Sequence, residues 1–107
     1  MLKINKKDQP TVKVFTGVTR KTLACGKDIL LARFDYEKGA VVPLHKHAYE
    51  QVTTILKGCQ KIIIKGNEVN EEIVVEAGDS YVVPAQFEHE QVSLEESVTI
   101  DAWNLAP

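Results

Sequence analysis

Along the whole 107-residue chain, apolar and β-branched residues come in short runs separated by turn-forming ones. The runs "TVKVF", "DILLARFDY", "QVTTIL", "QKIII", "EEIVVE", "SYVVP", "HEQVSL" and "SVTIDAW" have the length and two-residue period of β-strands. Between them, Gly66–Asn67 and Gly78–Asp79 supply residues that tolerate positive φ, as tight hairpins require. Nowhere does a 3.6-residue apolar period persist long enough to predict a helix of three turns. About seven to nine short strands at this spacing predict an all-β sandwich, jelly roll or small barrel. The sequence shows no internal repeat, low-complexity tract or linker, so residues 1–107 read as a single domain with a solvated N-terminal arm over residues 1–10.

Charge narrows the function. Thirteen basic residues against fifteen acidic ones leave a net charge of −2, which lacks the basic footprint of a nucleic-acid binder. No apolar run approaches the ~20 residues of a membrane span, and the first residues lack the apolar core of a signal peptide. A cytoplasmic protein with neither a nucleic-acid nor a membrane partner is the expectation. Cys25 and Cys59 belong to no CxxC pair and have no histidine nearby in sequence, as expected of reduced structural thiols.

The candidate chemistry lies in the histidines. There are three, and two of them, His45 and His47, are one residue apart, so on a strand they share a face while Lys46 points away. Gln51 has the same parity, yet on a straight strand it would lie ~13 Å from His47 at ~3.3 Å per residue. It joins the pair only if Ala48, Tyr49 and Glu50 bend the chain back. His89 follows at the head of another strand, five residues after Pro84. Three imidazoles and one amide oxygen suit one divalent transition metal ion, namely zinc, nickel, iron or manganese. A neutral amide leaves the ion's positive charge uncompensated, which favours an anionic substrate and Lewis-acid chemistry over metal oxidation.

Two stretches carry a resemblance. "GAVVPLHKHAYEQVTTILKG" resembles the first motif of the cupin superfamily, with Gly39, His45, His47, Gln51 and Gly58 at its fixed positions. "GDSYVVPAQFEHEQVS" resembles the second, through Gly78, Pro84 and His89. Gln86 stands at the usual glycine of that motif and Ser93 at the usual asparagine, while Gln51 replaces the usual glutamate. The resemblance implies a single-domain cupin-type jelly-roll β-barrel that binds metal through His45, His47, Gln51 and His89.

From about residue 17 to 103 the chain further resembles the KdgF family of pectin degradation cupins, through "GVTRKTLACGKDILLARFDYEKGA", "HKHAYEQ" and the late "DAW". That resemblance implies a metal-dependent enzyme opening and tautomerising 4,5-unsaturated uronates, small acidic sugars, to the linear keto form. It makes Asp101 the catalytic acid–base, Trp103 an aromatic at the substrate, and Arg20 a partner for the substrate carboxylate. Strand parity agrees for the first two, since Thr99, Asp101 and Trp103 share one face of the last run. A homodimer is implied as well. The family carries an arginine in a short tail beyond its aromatic, where this sequence reads "NLAP", and Tyr49 replaces a residue that is often histidine. A cupin dioxygenase and a non-catalytic metal- or small-molecule-binding module are the competing readings.

Overall fold

Ten strands run through residues 2–104, which the computed structural model describes: β1 (Thr11–Phe15), β2 (Val18–Cys25), β3 (Ile29–Tyr36), β4 (Val41–Lys46), β5 (Gln51–Lys57), β6 (Cys59–Gly66), β7 (Val69–Glu76), β8 (Ser80–Val83), β9 (Glu88–Ser93) and β10 (Ser97–Asn104). One turn of 3-10 helix, Lys6–Asp8, precedes them, and no α-helix occurs among the described residues. The strands form a six-stranded sheet in the order β1-β2-β3-β10-β5-β8 and a four-stranded sheet in the order β4-β9-β6-β7. All pairings are antiparallel, and the two sheets face each other as a jelly-roll barrel.

Alternation decides what each strand turns inward. At one end of the barrel Ile55, Ile62, Ile64, Val75, Tyr81 and Val83 form an apolar core. A smaller cluster of Val18, Tyr36 and Val42 closes the other flank. Between them the inward positions are polar: Gln51, Thr53, Gln60, His89, Gln91, Ser93, Thr99 and Asp101 are all buried. Burial of so many polar groups is tolerable only when they bond to one another, and they do.

Strands β2 and β4 are absent from the eight apolar runs, for two different reasons. On β2 the inward side includes Arg20, which enters a polar cavity, so no apolar alternation marks the strand. On β4 the period itself is broken. Val42 stands opposite Gln91 and His45 opposite His89, so three steps on β4 match two on β9. That extra residue is a β-bulge, and it holds Pro43, which has no N–H to lose, on an edge strand. The bulge puts both Val42 and His45 inside.

The β6–β7 hairpin corrects the expected turn. Gly66 still pairs with Val69, and the positive-φ residues are Asn67 (45°) and Glu68 (70°), one position later. Gly66 is glycine for another reason: a Cβ there would lie 2.7 Å from the Phe87 ring. The turn at Gly78 (φ 97°) forms as expected. Cys25 and Cys59 are free thiols.

Candidate metal centre and active site

The bulge brings His45 directly opposite His89 across the β4–β9 ladder, with ring centroids 4.1 Å apart. His47 lies just past the end of β4, its ring 5.7 Å from His45 and 5.0 Å from His89. One ligand nitrogen from each of the three falls within 4.8 Å of the others. The bend required over Ala48–Glu50 is present. Gln86 N–H donates to the His47 carbonyl (2.9 Å), Glu50 N–H donates to Asn104 Oδ1 (2.9 Å), and Gln51 opens β5 facing back into the barrel. Glu50 itself is exposed, as its parity requires.

Backbone carbonyls orient two of the imidazoles. His45 Nδ1 donates to Pro43 O and His47 Nδ1 to Tyr49 O, both at 2.8 Å, which leaves the Nε2 lone pairs for the cavity. His89 is 1% exposed, and burial, then the neighbouring His45 and His47, push its pKa down to about 3, so it is a neutral ring with a free lone pair. Its buried Nδ1 has no hydrogen-bond partner.

Gln51 completes the cluster. Its Nε2 donates to Asp101 Oδ2 and to Thr53 Oγ1, each at 2.9 Å, so Oε1 must face the histidines, 3.2 Å from His47 Nε2. With the His47 proton on Nδ1, two lone pairs meet there. A cation between them relieves that repulsion, so the residues fit a transition metal held by His45, His47, His89 and Gln51. Asp101 revises the expected charge balance: its carboxyl stands one hydrogen bond behind the amide and, when ionised, would partly compensate a bound cation.

Asp101 is 3% exposed, on β10 between Ala32 of β3 and Thr53 of β5. Oδ1 accepts from Thr99 Oγ1 (2.7 Å), and Oδ2 accepts from Gln51 and from Thr53 Oγ1 (3.0 Å). Burial raises its pKa to about 6, and the two threonine hydroxyls restrain the rise.

A cavity of about 270 Å³ opens over this cluster and is lined by all four candidate ligands, Asp101, Trp103 and Arg20. Every residue proposed for the site from the sequence therefore borders one space. Trp103 pairs with Gln51 in the β10–β5 ladder, and its ring lies 5.9 Å from Tyr49 and 6.2 Å from Phe34. Tyr49 stacks in turn on His47, 3.9 Å away and 5° from parallel. Tyr49, noted in the sequence as standing where histidine is frequent, is a wall residue, as is Phe34, which sequence reasoning did not single out. Arg20 is close enough to bias the Tyr49 hydroxyl toward ionisation, although burial outweighs this and raises the pKa overall. The tail "NLAP" lies outside the described residues from Leu105 onward.

Sequence reasoning also passed over Tyr36, Thr53 and Gln91. For Thr53 and Gln91 the signal was polarity at inward parity, seen at 51/53 on β5, 89/91/93 on β9 and 97/99/101 on β10, whereas Tyr36 closes β3 as an aromatic that nothing local marks.

Known proteins share this architecture. Residues 32–100 match the cupin domain family. The pectin degradation protein KdgF of Dickeya dadantii is 29% identical over 99 residues, 91% of this chain and 86% of that protein. The structure of KdgF from Halomonas sp. superposes with a TM-score of 0.85 at 24% identity, over 98% of this chain and 95% of the other. An oxalate decarboxylase of Bacillus subtilis reaches 0.86 at 15% identity, over 97% of this chain but 29% of that one. Because the match to the cupin domain family spans residues 32–100, more than half of its length, this chain belongs to the cupin family.

Proposed function

We propose that this protein opens the ring of 4,5-unsaturated uronates and delivers the linear keto acid. The observation that carries the reading is Asp101, a buried carboxyl bonded to the amide of Gln51 at the edge of a cavity bordered by three convergent histidines. The volume, about 270 Å³, suits a single sugar ring better than an oligosaccharide. The likeness to the KdgF proteins supports the same reading.

The conversion is an isomerisation. The hemiacetal hydroxyl gives up its proton as the bond between C1 and the ring oxygen breaks, leaving an aldehyde and an enol at C5. Moving the enol proton to C4 then gives the ketone, with no oxidant or reductant. A dication held by His45, His47, His89 and Gln51 would supply Lewis-acid polarisation of the substrate oxygens. Arg20 receives the substrate carboxylate through its guanidinium fork. Trp103 and Tyr49 present ring faces to the sugar. Asp101 moves the proton, and a pKa of about 6 suits a group that both gives and takes near neutrality.

The test follows the ultraviolet absorbance of the C4=C5 bond in a panel of unsaturated uronates. Protein reconstituted with zinc, nickel, iron or manganese should accelerate its loss without consuming oxygen, and chelation should abolish the effect. No acceleration with any of the four metals overturns the reading, and oxygen uptake moves the protein to the dioxygenase class.

We infer too that the protein pairs with a second copy. The outer face of β3, β10, β5 and β8 forms a groove lined by Leu31, Val52, Val82, Ile100 and Ala102, with Val52 45% and Val82 50% exposed. Sedimentation equilibrium should give a dimer, and Val52→Lys with Val82→Lys a monomer. A wild-type monomer refutes this.

A further inference from the structure

The two oxygens of Asp101 are not equivalent. Oδ2 accepts two hydrogen bonds, from Gln51 and Thr53, which occupy both of its lone pairs. Oδ1 accepts one, from Thr99. A single lone pair on Oδ1 is therefore left to exchange a proton.

What holds Oδ1 is a chain with a fixed polarity. Thr99 has one hydroxyl proton and gives it to Asp101 at 2.7 Å, so in the contact with Tyr36 (3.2 Å) it can only accept. Tyr36 thus donates to Thr99, while its oxygen sits 3.5 Å from Gln91 Nε2, the longest of three contacts that share that amide's two protons. Gln91 is itself anchored by the Tyr81 hydroxyl (3.0 Å) and Gln60 Oε1 (3.3 Å). Thr99 is fully buried and Tyr36 is 3% exposed, so bulk solvent has little access to these bonds. The Tyr36 ring is held against Phe34, 6.1 Å away, and within the cluster of Val18 and Val42.

We propose that Thr99 and Tyr36 are positioning residues that act in series on Asp101, turning its carboxyl so that Oδ1 is the oxygen that exchanges a proton with the substrate. The proposal rests on the ring-opening reading for its substrate and on the hydrogen-bond geometry alone for its mechanism. Neither residue belongs to the candidate ligand set, and Tyr36 meets the cavity only as part of its wall. Tyr36 reaches Asp101 through the Thr99 hydroxyl, and that dependence separates this arrangement from ordinary core packing.

The experiment is a double-mutant cycle in the metal-loaded protein with three near-isosteric variants. Thr99→Val should lower kcat by about 10- to 100-fold through misorientation of the acid–base group, with KM and metal content unchanged. Thr99→Ser, which restores the hydroxyl, should recover most of the rate. Tyr36→Phe should lower kcat by about 3- to 10-fold, the worth of one neutral hydrogen bond. In the Thr99→Val background Tyr36→Phe should do nothing further, since the link it acts through is gone. A second readout needs no turnover: the ¹³C carboxyl resonance of Asp101 in zinc-loaded protein, assigned by its loss in Asp101→Asn. Tyr36→Phe should shift it in the wild-type background and leave it in place in Thr99→Val. Multiplicative rate losses, a rise in KM at constant kcat, or a resonance indifferent to Tyr36 overturns the proposal. If the wild type turns over no unsaturated uronate, the ring-opening reading fails, and the resonance still decides whether Tyr36 acts on Asp101 through Thr99.

Discussion

Replacing Asp101 with asparagine separates what the carboxyl does for activity from what it does to stability. Asparagine fits the same space. With its oxygen at the Oδ2 position it keeps the bonds from Gln51 and Thr53, and its amide nitrogen meets Thr99, whose hydroxyl turns toward Tyr36. Gln51 Oε1 keeps its aim, so metal content should match the wild type while ring opening falls by about 10²–10⁴-fold, the usual range for loss of a general acid–base group. Stability should move the other way. A carboxyl raised from 3.8 to about 6 holds its proton more tightly folded than unfolded, so keeping it ionised in the barrel opposes folding at high pH. At 1.36 kcal/mol per pH unit this amounts to about 3 kcal/mol at pH 8 and falls below ~1 kcal/mol at pH 4. Asparagine carries no such penalty. Urea titrations of chelator-treated protein should therefore find Asp101→Asn more stable than wild type by about 2–3 kcal/mol at pH 8, with the gap closing on acidification. The ionisation of His89 is common to both proteins and cancels. An Asp101→Asn protein no more stable than wild type at pH 8, or a gap that widens toward pH 4, refutes the reasoning.

Three further predictions concern the frame of the site. In the Asp101→Asn background, where no opposing carboxyl titrates, the metal-free protein should lose stability as pH falls from 6.5 toward 3, because folded His89 resists the proton that the unfolded chain accepts. A flat urea midpoint over that interval would remove the case for a neutral, desolvated ring. Gln86→Gly should raise stability by roughly 0.5–1 kcal/mol, since φ of 69° strains any residue with a Cβ and glycine gives back part of the gain in the unfolded chain; thermal unfolding reads it, with activity unchanged. Gly58→Ala should cost more than about 3 kcal/mol, combining a φ of 92° with a Cβ driven onto the Glu96 carbonyl and 2.7 Å from Ser97 Cα. Soluble protein with wild-type unfolding temperature would show that the β5–β6 turn gives way more easily than its packing implies.

The strands with apolar inward faces were legible in the sequence, because burying a hydrocarbon row imposes a period of two that any reader can count. β6 and β8 are of this kind. β2 and β4 were not legible, and both failures fall where the barrel serves the cavity: Arg20 replaces an apolar residue on β2, and the β4 bulge resets the count between Val42 and His45. The histidines and Gln51 were found by their spacing and the bend it required, Asp101 and Trp103 by the family resemblance, with which strand parity agreed. Glu50, of the opposite parity to Gln51, is exposed. The hydrogen-bond chain from Gln91 to Asp101 joins strands β9, β3 and β10, which are far apart in sequence, and no local pattern announces a partnership of that kind. Gln86 illustrates a different limit. Its departure from the motif glycine was visible, but only coordinates reveal that the backbone kept the glycine-like turn and left glutamine under strain.

The extra residue in β4 also bears on how much change in length such a site tolerates. Three steps on β4 face two on β9, so deleting one residue between Val42 and His45 would change no ligand and would leave an even count that closes the ladder without a bulge, both side chains still inward. The histidines thus depend on the pairing of His45 with His89 and not on a fixed distance from the start of the strand. Lineages with one position fewer upstream of "HxH" should keep the inward pair, and a designer can straighten this edge strand without moving the residues of the site.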